Sequence, residues 1–186
     1  MNSKEFQKLK NLRPCSEALE YAKKFDTLQQ AWDDCERSDW MLWLLGKICG
    51  QPRSQSRHEL VWIACQCARL SLQYVPKNEL RPLQAIEAAE GWSAKIPGFT
   101  LKKIKKNADI AANAAADANS ADAYDAANAA YAAAAAADAA YIVNPAYIAN
   151  AAIYVADAAF YAYDADKKIL KKCADIIRMY HPVIKL

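Results

Sequence analysis

Between Ala108 and Ala162, 29 of 55 residues are alanine, and neither proline nor glycine occurs between Thr100 and Asn144. Alanine loses no side-chain entropy on entering a helix, so such a stretch is strongly biased to helix. The pattern predicts a first long helix from Thr100 to about Ile142, jogged near Asn119-Ser120. Asn144-Pro145 then reads as an N-cap followed by a first-turn proline whose missing N–H does no harm, so a second long helix should run from Pro145 to about Tyr180. Tyr147, Tyr154 and Tyr161 recur every seven residues, as do Tyr124 and Tyr131, close to two helical turns. The two series fall out of phase across Asn144, which favours an antiparallel hairpin over one rod. Ile148, Val155, Ile169, Cys173 and Ile176 are the larger residues expected to pack its alanine seam and anchor it to the rest.

The first part of the chain reads as shorter helices. Thr27 with Gln30, and Ser56 with Glu59, fit the capping box. Ser38 is placed to cap a helix from Trp40 to Ile48, with Gly50 as its left-handed stop. A further helix spans about Arg57 to Gln73, where Val61, Cys65, Ala68 and Leu72 form one apolar stripe and Leu60, Ala64 and Cys67 widen it. Others cover Ser16 to Lys24 and Leu83 to Trp92, with Gly91 expected to break the latter before Trp92. The expected fold class is therefore all-α: a multi-helix bundle in a single domain over 1–186, with a short-helix part over 12–98 and an alanine-rich antiparallel hairpin over 100–181. Only four glycines in 186 residues, together with the abundant alanine, argue against a nucleotide-binding α/β fold built on glycine-rich turns and against an all-β fold.

Charge divides the chain more sharply than its net +3 suggests. Residues 1–106 carry 18 Lys+Arg and 12 Asp+Glu, giving +6; residues 107–186 carry 6 and 9, giving −3. From Asn107 to Asp166 there are eight aspartates and no lysine or arginine. Such a one-signed surface attracts a basic protein and repels nucleic acid. Asp122 with Asp125, and Asp157 with Asp164, share helical faces, and with Tyr124, Tyr154 and Tyr161 as aromatic anchors they are the candidate partner-binding residues. Lys102, Lys103, Lys105 and Lys106, with Arg53 and Arg57 beside a loop, offer a basic patch, but no nucleic-acid reader motif accompanies them.

Chemistry is sparse. His58 and His181 have no nucleophile and carboxylate at neighbouring helical spacing and read as cap or surface residues. Cys65-x-Cys67 has no second pair at zinc-site spacing, and no Glu-x-x-His element accompanies the aspartates, so neither a metal nor another cofactor is expected. Catalysis would require the fold to gather Trp40, Glu59, Arg69 and His58 into one pocket. No apolar stretch is long enough to span a bilayer, and the start MNSKEFQKLK lacks the apolar core of a secretory signal, so six reduced cysteines in a cytosol are expected.

Several ordered segments carry a resemblance. SEALEYA at 16–22, AWDDC at 31–35, DWMLWL at 39–44, ACQCARL at 64–70, LRP at 80–82 before AIE at 85–87, the AADAAY tract and CADIIR at 173–178 together resemble bacterial immunity proteins of the Imm5-like family. The resemblance spans roughly residues 12 to 182. It implies an all-helical protein that is not an enzyme and that occludes a toxin or another nucleic-acid-handling protein, and it supplies no catalytic residues. An inhibitor of a bacterial phage-defence complex, in the manner of an anti-CRISPR protein, is the nearest variant. A helical module that self-associates into a homo-oligomer through its alanine and tyrosine faces is the alternative from another class.

Overall fold

A computed structural model describes residues 3–118, 124–142, 144–161 and 166–186. Among them are ten α-helices and no strand. In chain order these are α1 (Ser3–Asn11), α2 (Ser16–Ala22), α3 (Leu28–Asp34), α4 (Ser38–Ile48), α5 (Gln55–Arg69), α6 (Arg81–Ser93), α7 (Leu101–Ala118), α8 (Tyr124–Asp138), α9 (Pro145–Tyr161) and α10 (Asp166–Tyr180). A 3-10 turn at Leu72–Tyr74 bends the chain after α5.

The alanine tract forms the centre of the bundle. Helix α8 packs against α5, α6, α7 and α9, and its alanines from Ala126 to Ala137 are buried, while Tyr124, Asn128, Tyr131 and Asp138 form one stripe that is exposed or half-buried. A helix packed against four neighbours must be apolar over most of its circumference, and alanine keeps it thin enough for those neighbours to approach. Where the sequence predicts one helix from Thr100 to Ile142, two helices stand instead, α7 and α8, lying against each other through Ala114, Ala115, Ala127 and Ala130. Burying both alanine faces outweighs the propensity for a single rod, because helices draw most of their stability from tertiary packing. The second predicted helix is likewise α9 and α10, in contact with each other. The jog predicted at Asn119-Ser120 lies outside the described residues. Ile148, Val155, Ile169 and Cys173 are buried as expected, and Ile176 is half-buried against the core.

Local signals at the helix ends divide into two groups. Thr27 and Gln30 form the expected capping box, the Thr27 hydroxyl accepting from the Gln30 N–H at 3.1 Å and the Gln30 side chain accepting from the Thr27 N–H at 3.0 Å. Gly50 takes the left-handed conformation at φ +72° just past α4. Ser54 rather than Ser56 caps α5, accepting from the Arg57 N–H at 3.1 Å, while the Ser56 hydroxyl donates to the Cys49 carbonyl. Ser38 is the first residue of α4 and makes no cap bond; its hydroxyl is buried without a partner among the described residues. Gly91 does not break α6 but sits inside it, where a Cβ would lie 2.6 Å from the Phe99 ring, so its bareness seats that ring.

Two arginines tie helix ends together. Arg57 is 1 % exposed, and its guanidinium donates to the carbonyls of Ala139 (3.2 Å), Ile142 (3.1 Å) and Gly50 (2.9 Å), just past the C-terminal ends of α8 and α4. A cation at the negative end of a helix dipole is favourably placed. Arg178 on α10 donates to the carbonyls of Trp32 (3.1 Å) and Cys35 (2.6 Å) at the end of α3. The final residues fasten the same helix: the Trp32 indole donates to the His181 carbonyl (3.1 Å) and the Gln29 side chain donates to the Pro182 carbonyl (2.9 Å).

Asp138, at the end of α8, is half-buried and accepts a hydrogen bond from the Tyr141 hydroxyl. Burial raises its carboxyl above the ordinary range, only partly offset by that bond. Between the ordinary and the raised value the native state binds more protons than the unfolded chain, so this site's contribution to stability falls as pH rises through that window. Asp138→Asn should therefore be more stable than wild type at neutral pH, with the difference shrinking on acidification, as measured by urea unfolding of both proteins across pH 4 to 7.

Candidate functional site

The aspartates of the alanine tract are not all free to meet a partner. Asp117 pairs with Arg81 of α6 at 2.7 Å, although the tract has no basic residue of its own, and Asp138 faces Tyr141. Asp109 is exposed on α7; Asp125 and Asp157 are half-exposed on α8 and α9, Asp125 accepting from the Ala126 N–H at 2.8 Å. Asp122 and Asp164 lie outside the described residues, as does the side chain of Tyr161. Tyr124 is exposed, whereas Tyr154 is half-buried with its ring centroid 5.3 Å from that of Tyr131, across the α8–α9 contact.

The residues weighed for catalysis are dispersed. His58 is buried, stacked on Trp92 at 3.9 Å with its Nδ1 3.1 Å from the Trp92 carbonyl, which corrects its reading as a cap or surface residue. Arg69 forms a two-pronged pair with Glu90 at 2.6 and 2.7 Å. Glu59 lines a small hollow beneath the C-terminal residues, and Trp40 is elsewhere again. Arg57 is no part of a basic surface patch, being buried as described, whereas Arg53 and the four lysines at 102, 103, 105 and 106 are exposed. Among the described residues no three His, Cys, Asp or Glu side chains are grouped to hold a metal ion.

Sequence reasoning missed an aromatic cleft. It has a volume of about 540 Å³ and lies between α2–α3 on one side and α4 with the start of α9 on the other. Tyr21, Trp32, Trp40 and Trp43 contribute aromatic walls, and Ile153, one-third exposed at 38 %, lies on the α9 side. Arg37 stands at the wall in a fixed pose: its Nε and Nη2 donate to the two Asp39 oxygens at 2.9 and 2.7 Å, and its guanidinium lies 4.4 Å from the Trp40 ring. Burial pushes the Cys35 thiol up to about 11, so it is not a nucleophile at neutral pH. A concave, mainly apolar surface with a few oriented polar groups is suited to binding. The available signal was three tryptophans within 32–43, on either side of Arg37 and Asp39.

The fold and this surface define an all-helical protein suited to interaction with another macromolecule, and among the described residues no helix is long and apolar enough to cross a membrane. Compared with known proteins, the chain matches no family model, no curated protein and no solved structure.

Proposed function

We propose that this chain is a non-catalytic inhibitor of the immunity-protein type, which neutralises a basic toxin, nuclease or nucleic-acid-handling complex by occlusion. The observation that supports this reading is the packing of α8 against four neighbouring helices, which fixes α7 and α9 and so preorganises the helices that carry Asp109, Asp125 and Asp157. A rigid acidic surface lowers the ordering cost of binding and speeds encounter with a cationic partner. The resemblance of the sequence to bacterial immunity proteins points the same way, and the antiparallel stacking of the alanine-rich helices is part of the same reading. Five buried free thiols suit the reducing environment of a cytosol.

Affinity capture from the native host tests it. Wild type should retain a basic protein at low salt and release it as salt rises. The variant with Asp122, Asp125, Asp157 and Asp164 all changed to Asn should lose that protein while keeping its helical circular dichroism. Undiminished capture by a folded quadruple variant overturns the acidic-face reading.

A further inference from the structure

We infer that the aromatic cleft and the acidic depression beside it form one docking surface for a basic peptide segment of a partner protein, an apolar side chain seated in the cleft and flanking lysines or arginines on Asp26, Asp33 and Asp34. Its charged residues lie in the first part of the chain and α9 completes the cleft through Ala146, Ala149 and Ile153, but none of the alanine-tract aspartates lines it.

Tyr21 joins the two halves of the surface. Its ring lines the cleft, and its hydroxyl donates to Asp34 at 3.1 Å at the edge of the depression. The depression is lined by Asp26, Asp33 and Asp34 against one cation, Lys24, a balance of −2. The cleft wall adds Glu17 and Asp39 against Arg37, a balance of −1, so the whole surface stands at −3 within a part of the chain whose net charge is +6. Asp26, Asp33 and Asp34 are all exposed, and none of them takes part in an ion pair among the described residues.

Three carboxylates held within one short helix and its leading turn repel one another, and an incoming cation relieves that repulsion. The cleft supplies what charge alone lacks. Aromatic walls bury an apolar anchor, and tryptophan, tyrosine and arginine are the residue types that dominate binding energy at interfaces. The same negative balance disfavours nucleic acid and the anionic surface of a membrane. A peptide segment that combines an apolar anchor with basic flanks satisfies both halves at once.

The test is to pan a random peptide display library on the full-length protein and to measure the selected peptides by fluorescence polarisation. Two variants accompany wild type: Ala149→Phe, which fills the cleft from α9, and the exposed triple change Asp26→Asn, Asp33→Asn, Asp34→Asn. Enriched peptides should share a large apolar residue flanked by Lys or Arg. Their affinity should fall by about tenfold or more on the triple variant, and fall further as salt rises. Binding should also be lost on Ala149→Phe. The inference is overturned by an absence of enrichment, by a consensus without basic residues, or by full affinity for the triple variant. It is overturned equally by sedimentation showing a concentration-dependent dimer that the triple variant dissolves, since a second copy of the chain would then be the occupant. Because none of these changes touches Asp122, Asp125, Asp157 or Asp164, the outcome is separate from that of the capture experiment.

Discussion

Replacing Arg57 with methionine should destabilise the protein by about 1–3 kcal/mol, the range for leaving a buried acceptor without its donor. The side chain is 1 % exposed, and its two terminal nitrogens serve three backbone carbonyls, those of Ala139, Ile142 and Gly50. Methionine fills much of the space but donates nothing. Ala139 is fully buried, so its carbonyl at the end of α8 cannot turn to water, while Gly50 is exposed and its carbonyl can rehydrate. The loss therefore falls mainly on the junction of α5 with the end of α8. For a chain of this length the expected fall in Tm is about 2–12 °C, read by thermal unfolding monitored by circular dichroism. Arg57→Lys keeps the cation but not the planar fork and should fall between the two. Arg53→Ala, four residues earlier and exposed, serves as the control and should leave Tm nearly unchanged. A wild-type Tm for Arg57→Met would show that the carbonyls it serves are satisfied without it.

The contrast between Arg53 and Arg57 shows which parts of this fold can be read from sequence. Thr27 and Gln30 are legible because both partners of the capping box lie within one turn. Arg57 is not, because its acceptors at Ala139 and Ile142 are 82 and 85 residues away and are backbone atoms, which leave no trace in side-chain chemistry. His58 is hidden for the same reason, its partners being the ring and carbonyl of Trp92. The helical class follows from alanine propensity and the scarcity of glycine, but propensity is indifferent to whether a helix is buried or exposed. Hence α7 and α8 read as one rod, and the packing of α8 among four helices could not be foreseen. Asp117 reads as a member of an uncompensated acidic tract, and only the fold brings Arg81 to it. The cleft was partly legible: its tryptophans are close in sequence, but Ala149 and Ile153, which complete it, come from α9.

The packing of α8 on opposite sides has a mutational signature distinct from that of a freestanding helical hairpin. Ala130 and Ala132 are two residues apart, so they point about 200° apart around the helix axis. Ala130 is packed with Ala114 and Ala115 of α7, whereas Ala132 belongs to the main core, and both are at most 2 % exposed. In a hairpin resting on the rest of the protein by one side, only one of these two positions could be closely packed, and leucine at the other would be tolerated. With α8 packed on both of these sides, Ala130→Leu and Ala132→Leu should each cost about 1–3 kcal/mol through overpacking, since neither neighbouring helix can retreat without disturbing its own contacts. The corresponding fall in Tm is about 2–12 °C for each. Ala116→Leu on the exposed side of α7 should change Tm little, because leucine is nearly as good a helix former and meets only solvent there. Losses at both α8 positions, with none at Ala116, identify alanine here as a packing requirement set by close neighbours on opposite sides of the helix. Tolerance of leucine at either Ala130 or Ala132 would reopen that side of α8 to solvent, and with it the preorganised frame on which the inhibitor reading rests.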